Sequence, residues 1–166
     1  CSLPESDLEW DPLLGLSQPQ RLESMDALIH LAGRSIADHR WTDAEKQRIR
    51  DSRVAATQRL AQQIASLENP PPIVISASAI GIYGDCGHRV VDESEPPADD
   101  FLGSVAHGWE MACGAIVNTS VRVIHPRFGM VLSPSGGALA KMLPLFRWGL
   151  GGRLGSGKQE WSWISL

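Results

Sequence analysis

The run "IVISASAIGIYGD", residues 73–85, opens with three β-branched apolar residues in succession. A short apolar run without polar alternation fits a strand buried on both faces, the habit of parallel sheets. The strand is expected over 73–79. Behind it comes a loop with Gly81, Gly84, Gly87 and Pro96–Pro97. In open parallel sheets ligands bind outside the carboxyl ends of the strands. The residues just after this run are therefore the first place to look for chemistry.

Upstream, "NPPP" (69–72) stops a long helix predicted over "TDAEKQRIRDSRVAATQRLAQQIASLE" (42–68). Thr42 and Glu45 have the spacing of a capping box. Ile49, Ala56, Leu60, Ile64 and Leu67 recur on one face. Before it, "DALIHLAG" (26–33) is a second short apolar run, and residues 1–25 are Pro-rich and irregular. Downstream come a helix over about 100–117, a third strand in "VRVIHPRFGMVL" (121–132), and a helix over "ALAKMLPLFRWG" (138–149). This β-α-β-α-β-α order predicts an α/β domain with a parallel sheet and right-handed crossovers. Residues 26–33, 73–79 and 121–127 are expected to be neighbouring parallel strands.

The 166 residues suffice for one domain with a real core. Net charge is −4 and the cations are scattered, which argues against nucleic acid as a partner. No apolar run approaches the roughly 20 residues a membrane helix needs. Cys1, Cys86 and Cys113 are odd in number and far apart, so they frame neither disulfides nor a CxxC metal pair. This usage fits a reducing, cytoplasmic setting. His30, His39, His88, His107 and His125 lack ligand spacing, and no metal is expected. His30 and His125 fall inside apolar strands and read as hydrogen-bonded core residues. Asp92, Glu93, Glu95, Asp99 and Asp100 read as a solvated loop. The chain starts at Cys1 and stops at Leu166 inside an apolar segment, as a piece of a longer protein would.

"GGRLGSGKQE" (151–160) matches the glycine–x4–glycine–lysine part of a phosphate-binding P-loop. The match fails on context. Gln159 stands where a magnesium-holding hydroxyl is required. "PLFRWGLG" (144–151) is no feeding strand. "QEWSWISL" (159–166) reads as a strand rather than a helix.

Small residues follow each strand: Ala32 and Gly33; Ser76, Ala77 and Ser78; Pro126 to Gly129. They allow a flat ligand close to the backbone, or they let helices pack on the sheet. Both roles are open at this stage. Arg40, Trp41 and Arg53 are further candidates. Arg53 is either a solvated charge or an inward-facing anion contact.

Taken together, "HLAG", "RWTDAEKQRIRDSRVAAT", "ISASAIGIYGD", "GGALAKMLPLFRWGLGG" and "LGSGKQEWSWI" resemble the middle of an atypical, extended short-chain dehydrogenase/reductase. The group is the bacterial NAD-dependent epimerase/dehydratase-like (SulA-like) proteins. The resemblance runs from about residue 26 to the end. It implies a Rossmann-like doubly wound parallel sheet that lacks the N-terminal glycine-rich unit and the C-terminal substrate portion. On this reading, residues 1–166 are a partial NAD(P)-binding domain in which 150–166 begin the substrate side.

By the same resemblance, Leu31, Ala32 and Gly33 lie against the adenosine side of NAD or NADP. The catalytic hydroxyl falls on Ser78, with Ser76 as the nearby alternative, and Ser76 and Ala77 line the cofactor. Pro126, Arg127, Phe128 and Gly129 pass the nicotinamide. Arg40, Trp41, Gly157, Lys158 and Trp161 belong to the substrate side. The family's relay asparagine falls on Arg53. Its Tyr-x-x-x-Lys pair, in which the tyrosine is the acid/base and the lysine holds the ribose, falls on Leu102 and Ala106. Neither can move a proton. Tyr83, the only tyrosine, stands in as an acid or packs.

Two functions follow from the resemblance. One is an NAD(P)-dependent epimerase, dehydratase or reductase acting on a nucleotide-sugar-like small molecule. The other is an NADP(H)-binding regulatory module without turnover. A homodimer is an open expectation. Neither nucleic acid nor a membrane is expected as a partner.

Overall fold

The computed structural model describes residues 8–153 and 155–166. Its three apolar runs pair as expected. β4 (Ile73–Ser76) is central, with β3 (Leu28–His30) on one side and β6 (Arg122–Ile124) on the other, all parallel. The register aligns Leu28, Val74 and Val123 in one row and Ile29, Ile75 and Ile124 in the next. Alternation sends these rows to opposite faces. Val74 and Ser76 are buried beneath the helices, whereas Ile29 on the other face is 62% exposed.

α1 (Asp43–Asp51) and α2 (Val54–Ala65) carry the chain from β3 to β4. α3 (Phe101–Met111) and α4 (Gly114–Val117) carry it on towards β6. Both crossovers advance the same way across the sheet. The right-handed rule then places all four helices on one face, and α2 packs on both α3 and α4. Leu60, Ala61 and Ile64 of α2 meet Val74, Cys113, Ile116 and Val121 in the core. The predicted helical stripe of Ile49, Ala56, Leu60, Ile64 and Leu67 is buried throughout.

Five expectations are corrected. The helix expected over about 100–117 is two, α3 and α4, parted at Ala112–Cys113. The helix predicted over 42–68 is two helices, broken at Ser52–Arg53. The Ser52 hydroxyl donates to the Ile49 carbonyl and accepts from the Arg34 amide, so it competes with the helical ladder. The capping box is half made. Thr42 Oγ1 accepts from the Glu45 amide, but the Glu45 carboxylate turns to Arg34 and Arg48. The strand predicted over 121–132 is three short ones: β6, β7 (Arg127–Phe128) and β8 (Met130–Leu132). Pro126 cannot donate to a ladder, and Gly129 lets the chain change partners. Finally, residues 1–25 are not wholly irregular. β1 (Trp10–Asp11) and β2 (Gly15–Leu16) form a hairpin, followed by a 3-10 turn at Pro19–Leu22. Gln63 of α2 clips the hairpin by bonding both the amide and the carbonyl of Leu16. Residues 1–7 and Leu154 lie outside the described residues.

β7 pairs with β5 (Ser78–Ala79), which continues β4 one residue on. β8 is followed by α5 (Gly137–Arg147) and pairs with β9 (Trp163–Ser165). The strand expected after the glycine loop is therefore present. Gly129 makes this pairing fit: a Cβ there would sit 2.7 Å from the Ser162 carbonyl oxygen. Gly129→Ala should cost about 1–3 kcal/mol, because backbone must move to admit the methyl group. Urea unfolding of the complete protein checks this; an unchanged midpoint would refute the close approach. Among the described residues, no helix is long and apolar enough to cross a membrane.

Candidate active site

β4 ends at a stitched corner. The Ala77 amide donates to the His30 carbonyl and the Ser78 amide to the Pro126 carbonyl, each at 2.9 Å. Ser78 is thereby fixed at the carboxyl ends of three strands, with its side chain turned to α3. Its hydroxyl donates to Glu110 Oε1 at 2.6 Å. Arg127, the register partner of Ser78 on β7, grips the same carboxylate with two donors, Nε to Oε1 and Nη2 to Oε2, both at 2.9 Å. Its third nitrogen, Nη1, donates to Tyr83 Oη at 2.8 Å. The guanidinium carbon lies 5.1 Å from the Tyr83 ring centre. Tyr83 comes from the 3-10 turn Ile80–Tyr83 that follows β5.

This network fixes protonation. Burial alone would raise the Glu110 carboxyl, but the hydrogen bonds from Arg127 and Ser78 and the Arg127 charge outweigh it and hold it below the ordinary glutamate range. The Arg127 guanidinium, bonded to Glu110, is pushed further up despite partial burial. Glu110 is thus ionised at neutral pH, and the Ser78 hydrogen is committed to it. What Ser78 can offer a ligand is its oxygen lone pairs. A carboxylate depressed in the folded state stabilises above its unfolded pKa, and that stability is lost as pH falls through the folded value. Acid unfolding should therefore steepen below the ordinary glutamate range. In Glu110→Gln that part of the pH dependence should vanish, as read by melting temperature against pH.

A second cluster lies across α3. The indole Nε1 of Trp109 donates to Thr57 Oγ1 at 2.9 Å, and Thr57 Oγ1 lies 3.0 Å from His30 Nε2. Burial lowers the His30 pKa and favours the neutral ring. Trp109, so pinned, carries the Arg53 guanidinium 5.2 Å above its ring. The same guanidinium meets Gly33, where a Cβ would come within 3.3 Å of both Cζ and Nη2. The bare backbone beyond β3 and the cation at the head of α2 are therefore adjacent.

Of the residues singled out from sequence, Ser78, Tyr83 and Arg127 meet in the first cluster, and Gly33 and Arg53 in the second. Leu31 is exposed, Ala32 half-buried and Ala77 buried. Ser76 is fully buried under the helices. Pro126 accepts the Ser78 amide, and Phe128 is 39% exposed. Arg40 is exposed, while Trp41 donates to the Ile36 carbonyl and sets its edge on Phe101. Gly157, Lys158 and Trp161 are exposed before β9. Among the described residues none of the three bonds to the Ser78 cluster. His30 is the core residue expected, and His125 Nδ1 lies 3.3 Å from the Ser76 carbonyl.

Sequence reasoning gave no role to Glu110 or Trp109. A signal for Glu110 was present: it is the sole acid in the 101–117 segment.

No family model matches the chain. An epimerase family protein of Mycobacterium bovis is 44% identical over 160 residues, which cover 96% of this chain and 52% of that protein. A human epimerase family protein solved with NADPH superposes with a TM-score of 0.80 at 35% identity, covering 87% of this chain and 50% of that one. A nucleoside-diphosphate sugar epimerase from Corynebacterium glutamicum gives 0.78 at 37% identity, covering 95% and 32%. The chain spans about half the length of the curated relatives it matches. The parallel α/β sheet and these likenesses put the chain among the Rossmann-type short-chain dehydrogenase/reductases. Within that class, the chain belongs to the atypical epimerase family.

Proposed function

We propose that the complete protein is an NAD(P)-dependent oxidoreductase of epimerase or dehydratase type acting on a nucleotide-sugar-like small molecule. The observation that carries this is Ser78, held by Glu110 at the carboxyl end of the parallel sheet, next to Ala77, whose amide bonds the end of the strand that leads to Gly33. The relatives solved with NADPH or named as sugar epimerases support it.

The residues present fit the nicotinamide half of such a cofactor. Gly33, which the resemblance sets on the adenosine side, moves to the nicotinamide side in this reading, because it leaves backbone bare where a side chain would fill the space against Arg53. When bound, the nicotinamide supplies hydride transfer. Ser78, its own proton committed to Glu110, accepts a hydrogen bond from a ligand hydroxyl and aims it. Arg53 supplies positive charge beside it.

A second reading has its own support. Ser78 is 3% exposed and Leu102 and Ala106 occupy the usual proton-relay positions, as suits a protein that binds NADP(H) and does no chemistry.

The test is calorimetry. The glycine-rich turn that holds a pyrophosphate at a helix N-terminus is not among these residues. Losing two charge-assisted hydrogen bonds of about 1.5 kcal/mol each weakens binding about 100-fold. The complete protein should bind NADPH or NADH, and the 166-residue chain should bind it at least that much more weakly. Failure of the complete protein to bind either nucleotide would overturn the proposal. Once binding is established, turnover of nucleotide sugars separates the enzyme from the module.

A further inference from the structure

Four half-buried guanidiniums line this region, those of Arg34, Arg50, Arg53 and Arg127. Arg34 is bonded by Glu45, and Arg127 by Glu110. Among the described residues, no carboxylate pairs with Arg53. Among the described residues its guanidinium makes two long hydrogen bonds, both from Nη1, at 3.3 Å to the Ile49 carbonyl and to Ser52 Oγ. Nη2 faces Gly33 and the end of β3. Burial pushes the Arg53 guanidinium below the ordinary arginine range, which marks a cation short of compensation. Trp109 fixes its plane from below, and Trp109 is itself pinned by Thr57. Two more cations lie along the same seam against α3, Lys46 over the Phe101 ring and Arg50 bonded to Ser104 Oγ. A planar, pre-oriented guanidinium with a free edge is suited to binding a carboxylate or phosphate through two parallel hydrogen bonds.

We infer that Arg53 is an oxyanion receptor, and that the substrate of the proposed oxidoreductase carries a carboxylate or phosphate close to its reacting carbon. This rests on the proposed function, since it places the anion beside Ser78 and the cofactor. It goes further by giving the substrate a charge. The Arg53 Nη2 and Nε hydrogens contact the anion across Gly33, and Ser78 accepts from the neighbouring hydroxyl.

The experiment uses the complete protein saturated with NADPH and titrated with inorganic phosphate in one arm and acetate in the other. Binding is followed by calorimetry and by the Arg53 Nε–H signal in NMR. Saturable binding of at least one anion is expected, with a shift of that signal. Arg53→Met should weaken it about tenfold or more, the loss of a charged hydrogen bond. Arg53→Lys should recover part. Gly33→Ala, which crowds the guanidinium and spares the charge, should also weaken it, and it tests the site if Arg53→Met fails to fold. NADPH binding with no response to either anion would overturn the inference and leave the proposed function standing. So would anion binding indifferent to Arg53. Competition between phosphate and NADPH would also overturn it, because the anion would then be the cofactor's own. Absence of NADPH binding would instead count against the function itself.

Discussion

Replacing Glu110 by alanine is expected to cost about 3 kcal/mol of folding stability, the lower end for breaking a buried ion pair. The side chains of Arg127 and Glu110 are only 20% and 14% exposed, so removing the carboxylate leaves a guanidinium with little water to turn to. Two donors of Arg127 and the Ser78 hydroxyl lose their acceptor at once. The expectation is specific to the unpaired charge. Converting both partners, Glu110→Leu with Arg127→Met, should recover most of the loss, since an apolar pair of similar volume is often neutral or better. Chemical denaturation of Glu110→Ala and of the four proteins of the Glu110→Leu/Arg127→Met cycle measures it. A small effect of Glu110→Ala, or a double variant worse than either single one, would show that the pair does not hold this corner of the sheet.

The second large effect is catalytic. Ser78→Ala should reduce turnover by about 10²-fold, the scale of misplacing the reacting hydroxyl that Ser78 aims. The same substitution should leave the fold intact, because Arg127 still satisfies Glu110. Removing the Ser78 hydrogen bond takes away one of the influences that depress the Glu110 carboxyl, so that carboxyl should titrate higher. A turnover unchanged in Ser78→Ala would leave the serine a bracket for Glu110 and favour the binding module. The two readings therefore differ in kcat and agree on the carboxyl titration.

Much of the fold is legible in the chain itself. Short apolar runs without alternation, separated by an amphipathic helix, require parallel strands and crossovers, and β3, β4 and β6 pair accordingly. The stripe from Ile49 to Leu67 is local information and is buried as expected. What the sequence hides depends on distant partners. The break at Ser52 arises because a hydroxyl three residues beyond Ile49 also meets the Arg34 amide, a contact between segments 18 residues apart. The hairpin at residues 10–16 has two-residue strands, too short to show a period, and Gln63 on α2 fixes it. The site is legible in part for the same reason. Ser78 follows a recognisable strand, but its acceptor lies 32 residues on and its register partner 49 on. Only the crossover brings Glu110 and Arg127 to it. Arg53 is ambiguous in sequence because a helical arginine is usually solvated; the Trp109 ring beneath it and Gly33 beside it are what fix its direction.

The central claim is that the carboxyl ends of β3, β5 and β7 form the nicotinamide side of a cofactor site. The most direct measurement is a crystal structure of the complete protein with NADPH. The account predicts the nicotinamide ring on the helical side of these strand ends, beside Ser78 and within contact of the Gly33–Arg53 cleft. A nicotinamide bound on the opposite face of the sheet, or in a cleft that touches neither Ser78 nor Arg53, would contradict it.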